Sequence, residues 1–245
     1  MKKISIVSTP IGNLKDITLR ALEVLNNSDI ILCEDTRISI KLLNYYKIKN
    51  KTLISYHKFN EYKSLEQISS FLDQGKKIAL ISDAGTPLIS DPGQILVKYC
   101  HANSIGLEII PGASAVISSF ALSGFDLPFS FVGFLKETSS QRIKQLQQFL
   151  QDVSYIFFVS PYKLIPTLTD IEKVFENKAK IFLIKEMTKI HEKYLFGTAN
   201  QVKEALGESI KGEFTLVLRI ESDVKLKVKK NKYEKYSKIS EKKVI

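Results

Sequence analysis

The stretch IALISDAGTPLISDPG at residues 78–93 most constrains what this chain can fold into. Its apolar opening, residues 78–81, is short and continuous, as in a strand buried on both faces. Ser82 and Asp83 stop the run, and Gly85 and Pro87 break regular structure into a tight loop. Asp91 suits a helix N-cap and Pro92 the first helical position. A strand, a polar glycine loop and a helix start, in that order, expose backbone groups at the carboxyl edge of a parallel sheet. Open α/β sheets bind their ligands at that edge.

Alone, such a loop is an ordinary strand-to-helix turn. Two similar breaks give it weight. Residues 4–7, ISIV, run into STPIGNL at 8–14, and residues 107–110, LEII, run into PGASA at 111–115. Three strands ending in small-residue loops predict one cleft built from several strand ends.

Up to residue 122 the chain alternates strands with helices. Strands are predicted at 4–7, 30–33, 53–56, 78–81 and 107–110. Helices are predicted at 17–25, capped by Asp16, then at 38–46, 62–74 and 92–103, and again from 114. Repeated βα units imply a mostly parallel sheet covered on both faces. The pattern breaks at 123–128, SGFDLP. Beyond it strands crowd together at 129–134, 155–159, 181–184, 192–196 and 214–220, with helices at 142–150 and 165–175, which predicts a partly antiparallel sheet. The fold class is therefore α/β in two domains, 1–122 and 123–222, followed by a lysine-rich tail at 223–245.

Charge is distributed unevenly. The net is +10, yet residues 224–245 alone hold nine lysines and two glutamates, a net of +7. That asymmetry suits a polyanionic partner. No apolar run approaches the roughly 20 residues that cross a bilayer, and Met1-Lys2-Lys3 leads straight into a strand with no apolar signal segment. A cytoplasmic protein with no membrane contact is expected. Cys33 and Cys100 are expected reduced and buried. His57, His101 and His191 show no metal-ligand spacing, so no metal is expected. Neither a P-loop nor a G-x-G-x-x-G fingerprint is present, and no G-x-S-x-G elbow, which argues against nucleoside triphosphate, dinucleotide and serine-hydrolase sites.

Polar clusters mark several strand ends. Glu34-Asp35-Thr36-Arg37 reads either as a capped helix start with an internal Asp–Arg pair or as a substrate-facing cluster, and its position favours the second. His57-Lys58-Phe59-Asn60-Glu61 carries the same two readings; a histidine there can act as a base. Ser160-Pro161-Tyr162-Lys163 and Lys185-Glu186-Met187-Thr188-Lys189 end strands of the second half and are expected to face the same cleft.

Taken together, the strings at 8–18, 34–37, 82–87, 111–115 and 133–135 resemble, in order, the signatures of the small-subunit ribosomal RNA methyltransferase I family of the tetrapyrrole methylase superfamily. The resemblance covers about residues 1–222. It implies S-adenosylmethionine held between two α/β domains, a homodimer, and 2′-O-methylation of a cytidine in the decoding region of 16S rRNA within the small ribosomal subunit. It places Pro10, Gly12, Asp83, Ala84, Gly85, Thr86, Pro87, Ser114 and Ala115 at the cofactor. Asn13, Arg37, His57 and Asn60 fall on the substrate side, with Glu34, Asp35 and Lys189 as candidate bases. Two departures stand out: Tyr162-Lys163 where the family carries His-Arg, and His191-Glu192-Lys193 where it carries a Glu pair. A tetrapyrrole-precursor C-methyltransferase and a non-catalytic RNA-binding module are the alternatives. The intact 9–14 and 34–37 blocks argue against the first, and the intact 83–87 loop against the second.

Overall fold

The structure, a computed structural model, describes residues 2–207 and 210–221. The expected tail at 223–245 lies outside the described residues.

Five strands form the first sheet: β1 (Lys3–Val7), β2 (Ile30–Cys33), β3 (Thr52–Ser55), β4 (Ile78–Leu80) and β5 (Gly106–Ile110). They pair entirely in parallel, in the order β3-β2-β4-β1-β5. Both faces are covered, because alternate residues of each strand feed opposite cores. Ile30, Leu32, Ile78 and Leu80 pack with Ile68 and Leu72 of α3 (Glu61–Asp73) and with Leu96 and Cys100 of α4 (Gln94–Ala102). Ile31, Cys33 and Ala79 pack with Ala21 and Leu25 of α1 (Leu19–Asn27) and Leu43 of α2 (Thr36–Tyr45). Cys33 and Cys100, both free, thus sit in cores on opposite sides of the sheet.

The second sheet holds β6 (Phe129–Phe134), β7 (Ser154–Val159), β8 (Ala179–Lys185), β9 (Lys193–Gly197) and β10 (Phe214–Ile220), ordered β6-β7-β10-β8-β9. Only β6 and β7 run parallel, so the sheet is mixed, as its crowded strands predict. One face is covered by α6 (Ser139–Leu146), α7 (Pro161–Phe175) and α8 (Ala199–Ala205) through Leu146, Leu164, Leu168, Ile171 and Val202. The other receives α5 (Ala115–Ser123), whose Val116 and Phe120 pack against Ile156, Phe182, Ile184 and Val217. The chain leaving β5 therefore covers the other sheet. Gly124, in the left-handed region at φ 66°, ends α5 beside the expected boundary near 123.

Three local expectations are corrected. Thr18 caps α1, accepting from Ala21 N at 3.1 Å, while Asp16 lies in the preceding 3₁₀ turn. Asp91 does not cap α4; left-handed turns at Leu88 (φ 73°) and Ser90 (φ 71°) carry the chain on to Gly93, which precedes the helix. The helix expected at 165–175 begins at Pro161, a residue suited to a first turn.

Candidate active site

Neighbouring strands β4, β1 and β5 end in loops stitched together across the sheet edge. Thr9 N donates to Gly85 O at 2.8 Å and Gly85 N donates back to Thr9 O at 3.1 Å. Ser8 Oγ lies 3.0 Å from Thr86 Oγ1, which donates to Ala113 O at 3.3 Å. The loops approach this closely because of two glycines. Gly85 adopts φ +80°, and a Cβ on Gly112 would stand 2.9 Å from Ser8 Cβ.

Above this seam lies a cavity of about 380 Å³, within the roughly 300–1,000 Å³ of small-molecule sites. The first sheet supplies Ile11, Ala84, Gly85, Thr86, Ile89, Asp91, Ser114 and Ala115; the second supplies Phe134, Phe158, Ser160, Pro161, Met187 and Phe214. Five residues picked from sequence thus meet here: Ala84, Gly85, Thr86, Ser114 and Ala115. Pro10 and Pro87 are buried without lining it. Gly12 lies at the contact between the two halves, where a Cβ would meet Met187 O at 2.7 Å. Asn13 N donates to Thr188 Oγ1 there at 3.0 Å. The 160–163 segment reaches the cavity through Ser160 and Pro161.

A second, open depression of about 480 Å³ adjoins it, bordered by Glu34, Asp35, Arg37, His57, Phe59 and Asp83. Asp83 and Ala84, consecutive in the chain, form the wall between the two spaces. Asp83 Oδ1 accepts Asp35 N at 3.0 Å. Burial, then the neighbouring Asp83, raises Glu34; burial also raises Asp83 against the Asp35 N–H that lowers it. Asp91, across the wall, is pushed up to about 6, chiefly by burial, with Ser82 opposing and Glu34 and Asp83 adding to the rise. Three carboxylates therefore crowd the wall, and each resists ionisation.

Other picked residues are engaged elsewhere. The Asp35 carboxylate accepts Arg37 N at 2.8 Å and pairs with the Arg37 guanidinium at 2.6 Å, which lowers it to about 2. It is the helix cap and ion pair of the first reading, and its proton affinity is lowered where that of Glu34 and Asp83 is raised. Lys189 Nζ pairs with Glu213 at 2.9 Å and Glu186 at 3.1 Å, and its pKa is raised despite burial. An ammonium held by two carboxylates has no lone pair to offer, and these contacts make Lys189 a cross-link between the segments of Glu186 and Glu213. Asn60 serves its own loop: Oδ1 accepts His57 N at 2.8 Å and Nδ2 donates to Ser55 O at 2.8 Å.

The loop carrying Asp91 is anchored from below. Glu61 is only 7 % exposed. Its Oε2 accepts Gly93 N at 3.0 Å and the Tyr56 hydroxyl at 3.1 Å. Sequence reading missed Asp91, Glu61 and the aromatic lining. Only the GFL string at 133–135 hinted at the last.

Residues 3–203 match the family model described as Tetrapyrrole (Corrin/Porphyrin) Methylases. A protein of Mesomycoplasma conjunctivae named ribosomal RNA small subunit methyltransferase I is 58% identical over 238 residues, covering 97% of this chain and 99% of that one. A protein of the same name from Thermotoga maritima is 44% identical, covering 89% and 98%. Among solved structures, a uroporphyrin-III-C-methyltransferase from Thermus thermophilus superposes with a TM-score of 0.62 at 16% identity, covering 89% of this chain and 94% of that one, a likeness of fold. By sequence and by fold, the chain belongs to the tetrapyrrole methylase family, within the group named ribosomal RNA small subunit methyltransferase I.

Proposed function

We propose that this protein transfers a methyl group from S-adenosylmethionine to a ribose 2′-oxygen of small-subunit rRNA, a cytidine of the 16S decoding region. The carrying observation is the pair of spaces that meet at Asp83 and Ala84: one lined mostly by apolar groups, one more open and bordered by charged side chains. The relatives' shared name supports rRNA as the acceptor.

The mostly apolar cavity fits the cofactor's chemistry. Phe134 and Phe158 line it with aromatic surface suited to a planar base or a cation, and Asp91 offers a carboxylate to a sulfonium or ammonium. Ala84, Gly85, Thr86, Ser114 and Ala115 would hold the cofactor, while Pro10, Gly12, Asp83 and Pro87 shape the loops that do so. Bound there, S-adenosylmethionine supplies an electrophilic methyl carbon on sulfur.

The acceptor lies in the open depression, its hydroxyl directed over the wall. Positioning of this kind contributes several kcal/mol. A ribose hydroxyl is a weak acid, and a placed base adds roughly 10²–10⁴-fold. Glu34 and Asp83, carboxylates whose proton affinity burial has raised, are the groups placed to take that proton. Arg37 and His57, which border the depression, would meet the acceptor there, whereas Asn13 is tied to Thr188 at the contact between the halves. On this reading the protein works in the cytoplasm as a homodimer with the small ribosomal subunit as its partner.

The test is methyl-labelled S-adenosylmethionine offered to the purified protein with unmethylated small subunits, followed by ribose-methylation mapping. One 2′-O-methylated cytidine is expected. Label entering a tetrapyrrole precursor instead of rRNA, or entering neither, overturns the proposal.

A further inference from the structure

Phe59 stands at the tip of the loop between β3 and α3 with 88% of its surface exposed. Isolated exposed apolar side chains need no explanation, but this one borders the open depression beside Glu34 and Asp83. The loop that carries it is fixed. Asn60 ties His57 N and Ser55 O at 2.8 Å each, and Phe59 N donates to His57 Nδ1 at 3.3 Å. The His57 and Phe59 rings sit in a T-shaped pair, centroids 6.0 Å apart at 63°, and the exposure of Phe59 leaves most of its ring to solvent. Lys58 precedes Phe59 at the rim, and the Arg37 side chain, 87 % exposed and held through Nε and Nη2 by Asp35, stands on the same border.

A rigidly held aromatic face flanked by cations, beside an acceptor site, matches how proteins hold single-stranded nucleic acid: bases stack on rings while cations meet phosphates. We propose that Phe59 is the stacking platform for an unpaired base of the acceptor RNA, with Lys58 and Arg37 meeting the flanking phosphates. This rests on the rRNA methyltransferase reading above and names a group that contacts its substrate.

The test compares full-length wild type with Phe59→Ala, Phe59→Leu and Phe59→Tyr. The readouts are small-subunit methylation kinetics, S-adenosylmethionine affinity by calorimetry, and sedimentation. Removing one base–aromatic stack raises the KM for small subunits about 5- to 150-fold in Phe59→Ala. Phe59→Leu, apolar but without a π face, is expected to stay impaired, and Phe59→Tyr to recover. Cofactor affinity and sedimentation are expected to hold. An unchanged KM in Phe59→Ala, or full recovery by leucine, overturns the inference while the function stands. A shift of Phe59→Ala to a smaller species also overturns it, since the ring then covers a second copy of the chain. A wild type that methylates no rRNA removes the functional reading, and this inference with it.

Discussion

Replacing Glu61 with alanine probes whether the cofactor loop is held from beneath. The Glu61 carboxylate accepts from two groups that have little access to water, the Tyr56 hydroxyl and Gly93 N. Tyr56 is fully buried, and Gly93 sits at φ +131°, where a Cβ would strike Leu80 Cδ2 at 2.9 Å. Removing the acceptor leaves two buried donors unsatisfied at about 1–3 kcal/mol each, hence a loss of about 2–6 kcal/mol. For a chain of this size each kcal/mol lowers Tm by about 2–4 °C. Urea unfolding followed by circular dichroism measures the first quantity. Calorimetric titration with S-adenosylmethionine measures the consequence, because Ile89 and Asp91 lie on the segment that Gly93 terminates. Weaker cofactor binding is expected alongside the lower stability. Glu61→Gln, which keeps an acceptor oxygen, falls between alanine and wild type. A loss below about 0.5 kcal/mol, the range of ordinary surface changes, with unaltered cofactor affinity would refute the anchoring argument.

Gly85→Val is expected to abolish S-adenosylmethionine binding, since φ +80° disfavours a side chain and a Cβ there would stand 3.2 Å from Ile11 Cγ2; retained affinity by calorimetry counts against this loop as the cofactor site. Asp91 titrates near 6 in the native protein against 3.8 ordinarily. The native state therefore holds that proton longer, and its contribution to stability falls as pH rises from about 4 to about 6 and is level above. Asp91→Asn is expected to remove that slope in melting temperatures, and to flatten a rise in cofactor affinity between pH 5 and 7 that wild type shows as the carboxylate ionises. Deleting residues 229–245 is expected to weaken small-subunit binding and flatten its salt dependence, by roughly 0.7–0.9 in log–log slope for each phosphate no longer neutralised; an unchanged slope makes the tail a bystander.

The strand-end loops at 8–12, 82–87 and 111–115 were legible because glycine, proline and small hydroxyl residues punctuate apolar runs, a local signal. The role of Asp91 was not, and for Asp35 the cap-and-ion-pair reading was one of two. Asp-Pro before a helix pattern reads as an N-cap, and nothing in composition announces left-handed turns at a leucine and a serine. Lys189 read as a candidate base because its segment ends a strand; Glu186 lies in that same segment, but its second partner, Glu213, is 24 residues away. Helix α8 did carry a local signal that went unread: Thr198 and Gln201 form a capping box. Mixed pairing in the second sheet followed from strand density, whereas its order, with β10 between β7 and β8, depends on contacts no local pattern encodes.

The position of the cavity follows from the routing of three connections. Adjacent strands β1 and β4 send their following helices, α1 and α4, to opposite faces of the sheet, and the chains diverge above that edge. Such a divergence is where open α/β sheets leave a crevice. The third connection, after β5, turns to neither face and carries α5 onto the second sheet. That turn brings Phe134, Phe158 and Met187 over the crevice and closes it. Ile11 and Val116 line the cavity and also belong to the apolar cluster that joins α5 to the second sheet. The contacts that hold the halves together are thus the walls of the pocket, so packing between the halves and cofactor affinity draw on the same side chains.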